Sequence, residues 1–178
     1  MSQCIAILAT NGVEECELVE PRKALEGAGF RTMVVSPANG EIQAMEGDVT
    51  PASKIAVDAT IGEAADLDFA GILLPGGTTN PDALRIDEAA IAFLRGFVAQ
   101  DKPIASICHG AWTLIEAGGV KGRTLTSWPS LQTDLLNAGA KWVDRETVVD
   151  GNLLTSRNPD DLPAFCAALV TQYRDKSA

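Results

Sequence analysis

The stretch PIASICHGAW, residues 103–112, places the chain's only histidine directly after one of its four cysteines. A cysteine thiolate is a nucleophile, and an imidazole or carboxyl group beside it can carry the proton that the reaction moves. Cys108 has the small residue Ser106 two positions before it and Gly110 two positions after it. This is a cysteine version of the small-x-nucleophile-x-Gly elbow, a tight turn from strand to helix that exposes the side chain. The helix N-terminus that follows favours thiolate over thiol. The other reading of Cys108 is a buried structural cysteine. His109 also has two readings. Its backbone N–H is a natural oxyanion donor, and its ring either takes part in proton transfer or is a first-turn residue directed elsewhere, because neighbours at i and i+1 do not face each other on a helix.

Two more stretches could serve that thiol. Pro75-Gly76-Gly77 follows an aliphatic run; it is either a tight turn or a piece of bare backbone whose amides can approach a developing oxyanion. Glu17 shares a helical face with Val13, Pro21, Ala24 and Ala28, while Glu15, Arg22 and Glu26 lie on the opposite, polar side. A carboxyl group on an apolar stripe needs a partner. Partly buried, Glu17 would have a raised pKa, stay protonated and donate a hydrogen bond to a thiolate. Otherwise it is a stripe-edge glutamate that reaches out to water.

The elements that must position these groups follow a β-α alternation. CIAILAT (4–10) is a buried strand, Asn11-Gly12 a turn, and residues 13–29 a helix ended by Gly27 and Gly29. Strands are expected at 30–37, 70–77, 102–107 and 124–128. Helices are expected at 87–100, at about 109–117 and at 131–139. Residues 38–67 read as short strands and loops. Asp150-Gly151 lies between the apolar halves of 147–156, a hairpin signal. Asp160 or Asp161 caps a last helix with Pro163 in its first turn. The alternation implies one α/β domain over residues 1–178, a mostly parallel sheet with helices on both faces. Ligands then bind outside the carboxyl ends of the strands. Glu17, Gly76-Gly77 and Cys108-His109 all follow strand ends on that edge.

Composition narrows the function. The chain has 178 residues, 46% hydrophobic and 21% charged, and a net charge of −10. That acidity argues against nucleic acid as a main partner. No secretory leader is expected from the first residues, and no apolar run approaches a membrane span, so a cytoplasmic protein is expected. Cys4, Cys16, Cys108 and Cys166 are dispersed, which suits free thiols and offers no clustered set of metal ligands; neither metal nor cofactor is expected.

At these residues the chain resembles the PfpI family of intracellular cysteine hydrolases, within the class I glutamine-amidotransferase-like superfamily that also holds the parkinsonism-linked deglycase. The stretches NGVEECELVEP, ILLPGG, PIASICHGAWTLIEAGGVKGRTLTSW, NAGAKWVDRETVVDGN and TSRNPDDLPAF carry the resemblance over nearly the whole chain. It implies a flavodoxin-like α/β sandwich, with Cys108 as nucleophile, Glu17 as the carboxyl group bonded to it, and Gly77 and His109 as oxyanion-hole amides. In peptidase-type relatives an acid from a neighbouring subunit, just past the Pro-Gly-Gly turn, orients the histidine. Asp82 matches it here, although it is shorter than the usual glutamate and preceded by one extra residue. Taken without the family, Asp82 is a surface residue at a helix start. Ala111-Trp112 replaces the Pro-Gln often found after Cys-His-Gly. With Trp128 nearby in the family pattern, this suggests a narrower, more aromatic pocket, or else tryptophans that belong to the core.

The resemblance implies a homo-oligomer with the site near the subunit interface. It also implies a stress-response hydrolase acting on small carbonyl compounds or modified proteins and peptides, as glyoxalase, deglycase or peptidase. Two other classes are open: a redox sensor or holdase working through Cys108 oxidation without turnover, and a non-catalytic binding module.

Overall fold

The computed structural model describes residues 3–175. Its centre is a seven-stranded sheet in the order β11-β12-β8-β7-β1-β3-β6. The strands are β1 (Cys4–Leu8), β3 (Arg31–Ser36), β6 (Ala59–Thr60), β7 (Gly71–Leu74), β8 (Ile104–Ile107), β11 (Thr147–Asp150) and β12 (Leu153–Ser156). Every pairing is parallel except β11 with β12, the hairpin turned by Asp150-Gly151. The central strands are continuous aliphatic runs rather than alternating ones because both faces are covered: β7 (GILL) and β8 (IASI) are buried throughout.

One face packs on α1 (Glu15–Gly27) and α7 (Leu162–Asp175), with Leu18, Leu25, Phe165 and Leu169 meeting Ile5, Ile7 and Leu73. Tyr173 on α7 donates its hydroxyl to the carbonyl of Ile72 at 2.9 Å, tying that helix to the sheet centre. On the other face lie α2 (Ile61–Ala64), α3 (Thr79–Arg85), α4 (Glu88–Ala99), α5 (Ala111–Glu116) and α6 (Gln132–Asn137). Leu84, Leu94, Leu114 and Leu135 from these helices pack on Leu8, Ile72 and Leu74. The result is the mostly parallel, doubly covered sheet expected from the alternation, in the flavodoxin-like α/β arrangement that the resemblance implies. Among the described residues no helix is long and apolar enough to cross a membrane.

Two small sheets flank this body. In one, β4 (Glu41–Glu46) and β5 (Thr50–Ala56) form an antiparallel hairpin, and β2 (Val13–Glu14) adds in parallel to β4. In the other, β9 (Thr124–Leu125) pairs in parallel with β10 (Lys141–Trp142). The strand expected at 124–128 is therefore shorter. Past Leu125 the chain bonds elsewhere: the N–H of Thr126 reaches the Thr155 hydroxyl at 3.0 Å and that of Trp128 reaches the Cys108 carbonyl at 3.2 Å.

The cap at the last helix also differs from expectation. Asn158, not Asp160 or Asp161, accepts the N–H of Asp160 at 3.0 Å, opening a short 3-10 turn at Pro159–Asp161 before α7. Asp161 is instead held by two of the Arg157 guanidinium nitrogens at 2.8 and 2.9 Å, and the third reaches Asp144 at 2.7 Å. Planar guanidinium matches carboxylate in this forked geometry, and the clasp fixes the Pro159 turn beside the carboxyl ends of β8 and β12.

Candidate active site

Cys108 follows the last residue of β8 and opens a short 3-10 turn, Cys108–Gly110, that leads into α5. Its φ is +60°, a left-handed conformation that a non-glycine residue adopts at a cost of about 1 kcal/mol or more. Close packing around the turn over-determines it. A Cβ on Gly110 would collide with the Leu74 carbonyl and stand 2.9 Å from the Ser106 hydroxyl. A Cβ on Gly76 would stand 2.5 Å from Glu17 Oε2 and 2.7 Å from Cys108 Cβ. The glycines flanking the elbow are thus required by contact. The turn itself is held by Asn80, fully buried on α3, whose amide donates to the carbonyls of Pro75 at 3.1 Å and Gly76 at 3.0 Å while its oxygen accepts the Thr10 N–H at 2.8 Å.

Three functional groups meet at this point. Cys108 Sγ lies 3.2 Å from His109 Nδ1, so the ring does face its sequence neighbour, which the left-handed φ of Cys108 allows and regular helical geometry would not. Glu17 on α1 is fully buried, deeper than the partial burial expected, and its Oε2 accepts the N–H of Gly76 at 2.9 Å. Its other oxygen, Oε1, has no hydrogen-bond partner of good geometry. Burial pushes the Glu17 carboxyl up to about 8, against the pull of the Gly76 N–H and the Cys108 thiol. At neutral pH Glu17 therefore carries its proton.

The Cys108 thiol is held well above its ordinary value, first by burial and then by the charge of Glu17, with the His109 N–H opposing. The turn's dipole alone does not make a thiolate here. Glu17 and Cys108 titrate as a pair: a protonated Glu17 removes the repulsion and becomes a donor to a thiolate.

His109 is 6% exposed. Its ring meets Trp112 edge to face at 5.1 Å and stacks on Trp128 at 5.8 Å. Burial lowers its pKa, with the charge of Asp48 opposing. The imidazole is thus neutral near pH 7, with one nitrogen able to accept a proton. Trp112 is fixed in turn by Asp134, which accepts its Nε1–H at 2.9 Å, and by the Arg85 guanidinium 5.5 Å from the ring centre.

These groups open on a cavity of about 360 Å³ lined by Glu17, Gly77, Cys108, His109 and Trp128, with Glu14, Asp48 and Pro159 at its wall. The Gly76 N–H is committed to Glu17 and is not offered to the cavity. Asp82 is exposed on α3 and does not line this cavity.

Sequence reasoning missed Glu14 and Asp48. Glu14 is 8% exposed and accepts the N–H groups of Gly47 at 3.1 Å and Asp48 at 3.3 Å. Asp48, at φ +65°, accepts the Thr78 N–H at 2.6 Å. Together they pin the tip of the β4–β5 hairpin over the site. The only local signal was Gly47-Asp48, a turn dipeptide; the contacts across 30 or more residues leave no pattern in the sequence.

The site thus lies at a cysteine elbow on the carboxyl edge of a mostly parallel sheet covered on both faces. Residues 3–172 match the DJ-1/PfpI family, and the chain belongs to it. A Staphylococcus saprophyticus protein is 42% identical over 178 residues, covering 98% of this chain and all of the relative. A Bacillus subtilis protein named "Putative cysteine protease YraA" is 40% identical over 166 residues, covering 93% of this chain and 95% of the relative. Among solved structures, Drosophila melanogaster DJ-1beta superposes with a TM-score of 0.86 at 26% identity, over 99% of this chain and 96% of that one.

Proposed function

We propose that the chain is a stress-response cysteine enzyme in which the Cys108 thiolate attacks a carbonyl carbon, in the manner of a glyoxalase or deglycase. One observation carries this reading: Cys108, in a strained elbow, lies between a protonated buried carboxyl group and a neutral imidazole 3.2 Å away, facing a partly open cavity. A thiol only 7% exposed, under a stacked tryptophan and a hairpin tip, suits a small carbonyl compound better than an extended peptide. The four cysteines are free, in keeping with work in a reducing cytoplasm.

With methylglyoxal the steps balance without an external oxidant. The thiolate adds to the aldehyde carbon, and the carbonyl π pair becomes an oxyanion received by the Gly77 and His109 amides. His109 receives the thiol proton, and protonated Glu17 gives its own to the oxyanion. As a carboxylate, Glu17 then takes the proton from the former aldehyde carbon and delivers it to the neighbouring carbon, while His109 passes its proton to the ketone oxygen. Glu17 regains a proton from the first oxygen as the lactoyl thioester forms. Water then displaces the thiol and releases lactate. Asp82, exposed as it is, would act on His109 only from a second copy of the chain, completing an intersubunit triad in an oligomer. The test is lactate formation from methylglyoxal without glutathione, comparing wild type with Cys108→Ser. Lactate from wild type alone supports the reading; no lactate from either ends it and turns attention to peptidase substrates.

A second reading rests on the unpartnered Glu17 Oε1. Two equivalents of peroxide would oxidise the Cys108 thiol to a sulfinic acid, releasing two waters, and a protonated Glu17 would hold the product. Peptide mass mapping would show two oxygens on Cys108 at low peroxide and none retained stably in Glu17→Leu.

A further inference from the structure

The cavity over Cys108 has a one-sided charge. Glu14 and Asp48 supply the acidic charge, Glu17 lines it in its protonated form, and no lysine or arginine does. Its single basic group is His109, which burial holds toward the neutral form. Its aromatic wall is Trp128, 39% exposed and stacked on His109, and an indole face attracts cations. Fully buried Glu17 also lines the cavity, and its Oε1 has no hydrogen-bond partner of good geometry. Asp48 is not accidental surface charge. Its position at φ +65° is fixed by the Glu14 carboxylate gripping its N–H and by the Thr78 N–H on its Oδ1. A small cavity with low-dielectric walls concentrates such a field rather than losing it to solvent.

We infer that this cavity selects carbonyl substrates that bear a positive charge, such as an ammonium or guanidinium group, within a few bonds of the carbonyl carbon, accepts neutral ones, and rejects anionic ones such as oxo acids. The proposal rests on the reading of Cys108 as the nucleophile. The cation would sit between the Asp48 carboxylate and the Trp128 face, leaving its carbonyl carbon over Cys108. Selectivity of this kind is a difference between partners, and the acids at the wall act against an anion as much as for a cation.

The test uses three thiol reagents of nearly equal size: 2-aminoethyl, 2-hydroxyethyl and 2-sulfonatoethyl methanethiosulfonate. In each case the thiolate takes the alkylthio group and methanesulfinate leaves. Rates are read at each cysteine by peptide mass mapping. Cys4 and Cys166, both half-buried and away from the cavity, report what the overall charge of the chain does. Relative to them, Cys108 should react at least about tenfold faster with the cationic reagent than with the anionic one. Asp48→Asn should remove most of that ratio; the Asp48 charge also raises the thiol, but a change in the thiol's own reactivity scales the three rates alike and cancels in the ratio. Asparagine tolerates a positive φ and its side-chain oxygen can still accept the Thr78 N–H. Glu14→Gln, which keeps an acceptor for one of the two hairpin-tip N–H groups, should reduce the ratio independently. Equal rates for the two charged reagents, or a faster anionic one, would overturn the charge selectivity while leaving the nucleophile intact. A Cys108 slower than Cys4 and Cys166 with all three reagents would instead remove the nucleophile and the proposal with it.

Discussion

Gly76 donates its N–H to Glu17 Oε2 at 2.9 Å, and a Cβ at Gly76 would occupy the same space as that oxygen. One backbone position thus fixes the buried carboxyl group and leaves room for the elbow beside it. Gly76→Ala must displace either Glu17 or Cys108, since its Cβ would also stand 3.0 Å from the His109 nitrogen. The expected result is a loss of about 1–3 kcal/mol in denaturant unfolding, the usual range for overpacking a tight site. Turnover should fall with it. Full stability and full turnover in this variant would mean the turn is looser than its contacts imply.

Glu17→Gln separates proton transfer from thiol positioning. Glutamine can still accept the Gly76 N–H and can donate to a thiolate, but it cannot carry a proton between carbons. Lactate formation should drop about a hundredfold or more, the usual contribution of a positioned acid–base group. Alkylation of Cys108 by iodoacetamide at neutral pH should stay within about threefold of wild type, because Glu17 is already uncharged there. Parallel loss of both would make Glu17 a structural residue alone.

The same substitution has a pH signature in stability. Glu17 has a folded pKa of about 8, above its ordinary 4.5, so between these values the folded state binds the extra proton. Stability from this group is complete below about pH 4.5, declines as pH rises, and levels off above about 8. Glu17→Gln abolishes the decline. Its melting temperature should exceed that of wild type by an increasing margin from pH 5 to 9. A margin that is constant across that range would place the carboxyl pKa near its ordinary value.

How far the sequence reaches depends on the range of the contacts. The elbow, the Gly-Gly turn and the place of Glu17 on its helix are set by neighbours within a few residues, and periodicity and turn chemistry expose them. The β4–β5 hairpin is different. Strand β5, TPASKIA, is mostly exposed, contains Pro51 and shows no clean alternation, so residues 38–67 read only as short strands and loops, with no bounds and no tie to the site. Its tip reaches the site only through Glu14 and Asp48, which the sequence presents as two ordinary surface acids. Similarly, Thr126 and Trp128 look like the end of a strand until Thr155 and the Cys108 carbonyl claim their N–H groups.

Trp112 is a positioning residue for His109. Its ring edge confines the imidazole, and Asp134 and Arg85 confine the ring. Trp112→Leu would open the histidine to water and relax the burial that lowers its pKa. Because the chain has one histidine, its ring resonance can be followed by NMR without assignment. The pKa should rise toward its ordinary value, and turnover should fall about tenfold with the pH profile displaced in the same direction. An unchanged titration would show that Trp128 alone holds the ring.

Asp82 tests whether the site is complete within one chain. It is exposed on α3, outside the cavity that holds His109. If a second copy supplies it, specific activity depends on assembly. Wild-type activity per chain should then fall on dilution through the range where light scattering shows dissociation. Asp82→Asn, measured at high concentration, should match the diluted wild type, with its oligomeric state and Cys108 alkylation rate unchanged. A conservative change at an exposed position has little effect on folding, so lost activity would report on the triad. Full activity of Asp82→Asn at every concentration would leave His109 with only the groups of its own chain, and Asp48 as the acid nearest in effect.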